Sequence, residues 1–339
     1  MSTNGTKTRF EYLDVISGLM LIHMILIHTM QWGGLWGKTN YNYVSQALFF
    51  FMPWFYFKAG LFIKHRDNVG ECVKKDFMRL IVPFVVFTAI GTLFDYINEF
   101  LTTDREWWKI LGSPVKQVII GGSASGNLAL WFLLSLFWTR LAFRLIPEKA
   151  ALYVVLVAAV GGAALSYWDI RLPLSLSTVF PGFVFLMLGY YSSPYIIGGK
   201  LIKLNGGGYK TAIVIIYIII TIWLHPGCDM RTNHTGSNYM VWLVGAWIGC
   251  LSMVVLFNSV LGRISLLAYI GRNSMLFYVI HWLPLFVSQK IIIQICPSIE
   301  PIQLTVTLMV IVALTLLAAA RCRKLLLSDK RVGETKRKG

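Results

Sequence analysis

The chain has 339 residues, 56% of them hydrophobic and only 14% charged, with a mean hydropathy of +0.65. A soluble domain is about 45–50% apolar and about 25% charged, so a water-soluble globule is excluded. The formal charge of +16 would suggest nucleic acid on a soluble protein; here it is first a matter of membrane topology, and no nucleic-acid partner is expected.

The first apolar run covers residues 13–30. Lys7 and Arg9 precede it, as in a signal peptide, but the run holds Asp14, His23 and His28 and lacks a small-residue cleavage site. It is read as the first membrane helix. The other runs are 44–63, 80–100, 128–145, 151–167, 174–191, 211–224, 239–257, 264–287 and 302–320. Each approaches or exceeds the length needed to cross the hydrocarbon core. The run at 211–224 is short and is expected to extend into its flanks. The apolar patch at 118–120, beside Gly121 and Gly122, is expected to be a loop resting at the interface. The expectation is an all-α, polytopic bundle of about ten transmembrane helices with both termini cytoplasmic. Residues 1–12 form a cytoplasmic N-terminus, 13–320 one transmembrane domain, and 321–339 a basic tail that suits anionic membrane lipids.

Counting cations by compartment supports this arrangement. Of 31 Lys and Arg, seven fall outside: Lys38, Arg105, Lys109, Lys116, Arg171, Arg231 and Lys290. Lys58 and Arg272 lie within spans, and the other 22 lie inside, among them Lys64, Arg66, Lys74, Lys75, Arg79, Arg140, Arg144, Lys200, Lys203, Arg263 and the tail. The five cysteines form no CxxC, so no zinc or dithiol motif is present and no metal is expected. Cys228 and Cys296 both fall on the outer side, where pairing is open to them, but a bridge is not the expectation.

Ionisable groups inside membrane spans are costly and point to function. On the first helix, Ser17 and His28 fall about 20° apart around the axis and Asp14 about 40° from His28, so the three share one face. His23 points about 140° away and reads as a packed histidine. On the second span Lys58 lies in Phe55-Tyr56-Phe57-Lys58-Ala59-Gly60, either snorkelling or functional. The ninth carries Arg272, Asn273, Ser274 and His281, and its direction brings His281 to the depth of His28. Trp131 opens the fourth span where an aromatic belt would put it.

These segments, in order, resemble the acyltransferase-three family, bacterial-type membrane O-acyltransferases of ten core helices that modify cell-surface glycans. The resemblance rests on Tyr12-Leu13-Asp14-Val15-Ile16 through His28, the aromatic run from Phe49 to Phe57 with Gly60, Arg79-Leu80-Ile81-Val82-Pro83-Phe84, and Leu130-Trp131-Phe132. It continues through Leu172-Pro173 with Leu188-Gly189-Tyr190, and Tyr269-Ile270-Gly271-Arg272-Asn273-Ser274 to His281. It departs from the family at one place: where relatives carry an arginine eleven residues before the histidine, this chain has Ser17. Lys58, on the antiparallel second helix in the same membrane layer, is expected to supply the displaced charge.

The resemblance implies transfer of an acyl group, acetyl in the first instance, from cytoplasmic acyl-CoA to a hydroxyl of a glycan or lipid-linked sugar, in the bacterial cytoplasmic membrane. His28, Lys58 and His281 are the expected catalytic residues, with His28 as general base. Asp14, Ser17, Arg79, Trp131 and Asn273 are the expected substrate-binding residues. No nucleophile-elbow motif supports a serine acyl-enzyme. A transporter of a small polar solute and an inactive acyltransferase-like scaffold are the competing readings.

Overall fold

The computed structural model describes residues 10–64, 68–199, 207–236, 238–258 and 264–336, with side chains placed through Cys322. Lys7, Arg9, Arg66, Lys200, Lys203, Arg263 and the tail side chains from Arg323 lie outside the described residues.

The molecule is a helical bundle. In chain order the helices are α1 (Glu11–Gly33), α2 (Tyr41–Ala47), α3 (Phe51–Phe62), α4 (Val69–Asp76), α5 (Val82–Thr102), α6 (Trp107–Gly121), α7 (Trp131–Leu145), α8 (Ala151–Tyr167) and α9 (Leu176–Ile196). There follow α10 (Gly207–Ile219), α11 (Tyr239–Leu256), α12 (Ser265–Arg272), α13 (Ser274–Ile280), α14 (Trp282–Ile295) and α15 (Pro301–Lys336). Among the described residues one two-residue antiparallel pair, Cys228–Asp229 with His234–Thr235, closes the loop after α10.

Eight stretches among the described residues are long and apolar enough to cross a membrane, and Gly208–Leu224 is a shorter apolar helix. The expected second span is split: α2 and α3 are separated by a turn at residues 48–50, so α3 alone is short. The expected ninth span is likewise broken at Asn273 and again at His281, giving α12, α13 and α14. The patch at 118–120 is not a loop. It belongs to α6, which tolerates Pro114 and ends at Gly122 in the left-handed region. Its apolar residues Trp107, Leu111, Val115 and Ile119 recur every four positions and are exposed, the pattern of a helix lying in the interface. Cys228 and Cys296 do not bridge; all five cysteines are free thiols.

Lipid tails are as apolar as leucine, so helices associate through close packing at small residues rather than through hydrophobic expulsion. The bundle shows this at two crossings. A Cβ on Gly18 of α1 would meet the Leu267 carbonyl oxygen at 2.1 Å, and one on Gly271 would meet the Asp14 carbonyl oxygen at 1.8 Å. The pair holds α1 against α12 backbone to backbone. Between α3 and α9, a Cβ on Gly60 would lie 1.9 Å from the Leu186 oxygen and one on Gly189 2.0 Å from the Phe57 oxygen. Helices at the rim face outward with apolar residues instead: α8 exposes Leu152, Leu156, Val157 and Val160.

Gly33 at the end of α1 packs on Thr305 at the start of α15, so the two helices run antiparallel and residues 11 and 322 emerge at one end of the bundle. Asp14, Lys58, Asp76, Arg79, Arg140 and Arg144 gather toward that end. Arg105, Lys109, Lys116, Arg171 and Arg231 gather at the other.

Candidate active site

α1 carries one cluster near each end, because its Ser17 and His28 share a face and are separated by about 16 Å of helix rise. At the basic end, Lys58 reaches across from α3. Its Nζ donates to Ser17 Oγ at 2.8 Å, to Asp14 Oδ1 at 3.1 Å and to the Leu13 carbonyl at 3.3 Å. Trp54 Nε1 also donates to Ser17 Oγ, at 3.0 Å. Ser17 is fully buried and donates back to the Leu13 carbonyl at 2.8 Å. Lys58 therefore does not snorkel outward; its ammonium occupies the room beside the short Ser17 side chain.

This ammonium borders a cavity of about 290 Å³ lined also by Ser17, Arg79, Arg140, Phe132, Ser274 and Tyr278. Asp76 and Arg140 also line it, as members of a second ion cluster. Buried Asp76 accepts from Arg140 at 3.0 Å and from Arg144 at 2.7 Å, one carboxylate between two guanidiniums. The α4–α5 junction is a π-helical turn, Phe77–Ile81, which widens the helix where Asp76 and Arg79 face the cavity. With Asp14 matched by Lys58 and Asp76 outnumbered by two arginines, Arg79 leaves the cavity with a net positive wall, suited to a phosphate-bearing ligand.

Toward the other end lies a cavity of about 580 Å³, lined among others by His28, Gln31, Trp131, Arg231, Tyr278 and Trp282. The His28 and His281 rings stack with centroids 5.6 Å apart and planes 20° from parallel. Trp282 meets His28 edge-on at 5.0 Å. His281 is fully buried; its Nδ1 lies 2.7 Å from the Tyr278 carbonyl, which can only accept, so Nδ1 carries the hydrogen and Nε2 bears a lone pair. His28 Nδ1 lies 3.1 Å from the Gln31 amide oxygen, leaving its Nε2 as the basic nitrogen by the same reasoning. The Trp282 indole N–H is buried without an acceptor.

Of the residues singled out in the sequence, Asp14, Ser17 and Lys58 are brought together, Arg79 joins them across one cavity, and His28 and Trp131 line the other, with His281 stacked on His28. Asn273 lines neither cavity; its amide donates to the Tyr269 carbonyl at 2.8 Å at the break between α12 and α13. His23 is buried elsewhere, 2.8 Å from the Tyr41 hydroxyl. Three contributors escape sequence reading. Tyr278 lines both cavities and forms the partition between them, its hydroxyl donating to the Ala129 carbonyl. Its signal was its position three residues before His281, one helical turn away. Asp76 was hidden among basic neighbours at a span edge. Trp282 looked like any belt aromatic.

The bundle thus holds a basic cavity and a second, opposite cavity lined by His28, with His281 stacked on that histidine. A family model described as an acyltransferase domain matches residues 10–320. The chain belongs to this acyltransferase-three family, and the protein is a multi-pass membrane acyltransferase. No curated protein and no solved structure matches the chain.

Proposed function

We propose that the protein moves an acetyl or other acyl group from acyl-CoA on the basic, cytoplasmic side to a hydroxyl of a glycan or lipid-linked sugar on the outer side of a bacterial cytoplasmic membrane. The observation that carries this reading is the pair of cavities meeting at Tyr278, one with a cationic wall and the other holding a histidine with a free ring nitrogen.

In this reading Arg79 and the Arg140–Asp76–Arg144 cluster face the donor's phosphates, and the acyl-bearing arm extends past Lys58 toward Tyr278. The acceptor enters the outer cavity with its hydroxyl against His28 Nε2. His28 takes the hydroxyl proton as the oxygen attacks the thioester carbonyl. The carbonyl oxygen gathers negative charge and the Trp282 N–H, which has no other acceptor, is a donor for it. Collapse forms the ester, breaks the C–S bond and returns the proton to the departing CoA thiolate. His281 touches no substrate; stacked behind His28, it fixes that ring. Trp131 forms part of the acceptor's apolar wall. The Lys58 ammonium 2.8 Å from Ser17 Oγ supports the enzyme reading over the inactive scaffold, since it puts a cation beside the serine.

The test is acyl-CoA turnover by purified protein in detergent, followed by release of the CoA thiol with and without saccharide acceptors. Turnover that depends on acceptor and vanishes in His28→Ala is expected. Absence of thiol release with acetyl-CoA and with longer acyl-CoA donors, across acceptor classes, would overturn the reading.

A further inference from the structure

Beside the outer histidine cavity lies a larger cleft, of about 920 Å³, that the reaction scheme does not use. Five of the seven outer cations named above converge on it: Arg105, Lys109, Lys116, Arg171 and Arg231. Charges set there by topology alone would be dispersed around the rim. No Asp or Glu is among the residues that line it. Asp95 stands behind Ser125, accepting its hydroxyl, and Asp229 accepts the Arg231 backbone N–H at 3.0 Å rather than the guanidinium.

Three of the cations have carboxylate neighbours: Arg105 with Glu99 at 2.9 Å, Lys109 with Glu106 at 2.7 Å and Arg171 with Asp169 at 3.4 Å. In each pair the cation is solvent-exposed, and such surface pairs contribute little and exchange readily. Lys116 and Arg231 have no carboxylate partner among the described residues. The Arg231 Nε–H is buried with no acceptor. The hydroxyls of Ser123 and Ser175, residues only 1% and 5% exposed, line the same cleft and also lack partners. Ser175 is held in place by Gly122, whose left-handed backbone (φ 72°) and missing Cβ are both required, since a Cβ there would meet Ser175 Oγ at 1.7 Å. Buried donors without acceptors, beside unpaired cations, call for a ligand rich in acceptor oxygens and negative charge.

We propose that this cleft binds a phosphate ester on the acceptor and so holds the acceptor's hydroxyl at His28; the second half of the statement rests on the acyl-transfer reading above. Arg231 and Leu128 line both the cleft and the histidine cavity, so a ligand anchored by its phosphate in the cleft extends directly past Arg231 toward His28. The site lies at the membrane surface: α6 turns Lys109, Ser113, Lys116 and Gln117 to the cleft and its apolar stripe outward. The phosphate can therefore belong to a lipid-linked sugar entering from the bilayer or to a water-soluble sugar phosphate.

Equilibrium binding of inorganic pyrophosphate, geranyl diphosphate, glucose 1-phosphate and glucuronate to the full-length protein in detergent, without acyl donor, tests this. Pyrophosphate binding that weakens with salt is expected, with about a tenfold or greater loss in Arg231→Gln and partial retention in Arg231→Lys. The combined Arg105→Gln/Lys109→Gln/Lys116→Gln variant changes only exposed side chains and should weaken binding without affecting folding, whereas Lys38→Gln, an outer cation away from the cleft, should not weaken it. Tighter binding of geranyl diphosphate than of glucose 1-phosphate identifies a lipid-linked source; the reverse identifies a soluble one. Unchanged pyrophosphate affinity in both the Arg231→Gln and the triple variant, or glucuronate binding as tightly as pyrophosphate, would overturn the proposal. Acyl-CoA turnover measured on the same preparations keeps the two readings separate, because turnover without phosphate binding refutes the cleft alone.

Discussion

Removing the Lys58 ammonium would take a salt-bridge partner from the Asp14 carboxylate, and the consequences can be worked from the geometry. The two charges are 3.1 Å apart with side chains 21% and 12% exposed. At an effective dielectric constant of about 20, their attraction is about 5 kcal/mol. Deleting one partner of a buried pair typically costs about 3–5 kcal/mol. Lys58→Met should therefore lower the unfolding midpoint in detergent and abolish acyl-CoA turnover. Adding Asp14→Asn removes the negative charge that Lys58 balanced and should recover most of the stability but none of the activity. Adding Ser17→Arg instead returns a cation to the same place and should recover part of the activity, since a guanidinium and an ammonium present different donor geometry. Thermal unfolding and thiol release on the three variants separate folding from function. Full activity in Lys58→Met would refute the argument that the displaced charge serves the reaction.

Other outcomes follow from the same structure. His28→Ala should lower turnover about a hundredfold or more with folding retained, whereas His23→Ala, whose ring contacts Tyr41 and lines neither cavity, should act on stability alone; kcat for both variants decides this. Tyr278→Ala should join the two cavities and raise acyl-CoA hydrolysis relative to transfer, measured as the ratio of released thiol to acylated product. Gly271→Val should prevent α12 from seating on α1, because its Cβ would sit 1.8 Å from the Asp14 carbonyl oxygen, and monodisperse protein should be lost on size-exclusion chromatography. Reporter fusions at Asn40 and at the C-terminus should report opposite sides of the membrane.

Membrane character and the histidine-bearing face of α1 were legible in the sequence because both depend on local pattern: long apolar runs, and residues eleven positions apart returning to one face. The meeting of Lys58 with Ser17 was also legible, since antiparallel helices of known length put both in one layer. The breaks were less accessible. Residues 44–63 read as one run because the turn at 48–50 is made of Leu48, Phe49 and Phe50, apolar residues without glycine or proline to mark it. The π turn at Phe77–Ile81 has no composition signal at all. α6 was misread because its apolar patch at 118–120 is short, Pro114 precedes it and Gly121 and Gly122 follow it, which together read as a loop. The outer cleft was invisible for a different reason: Arg105, Arg171 and Arg231 come from three separate loops, and only the fold brings them together.

The central claim is that the acyl group passes between the two cavities within one protein, from the basic end to the opposite end. Proteoliposomes with the protein in a single orientation test it when labelled acetyl-CoA is supplied only to the face bearing Lys58 and Arg79 and a sugar-phosphate acceptor only to the other. The account predicts free CoA thiol on the donor face and labelled ester on the acceptor face, both lost in His28→Ala. Labelled ester formed only when donor and acceptor share one face would contradict it.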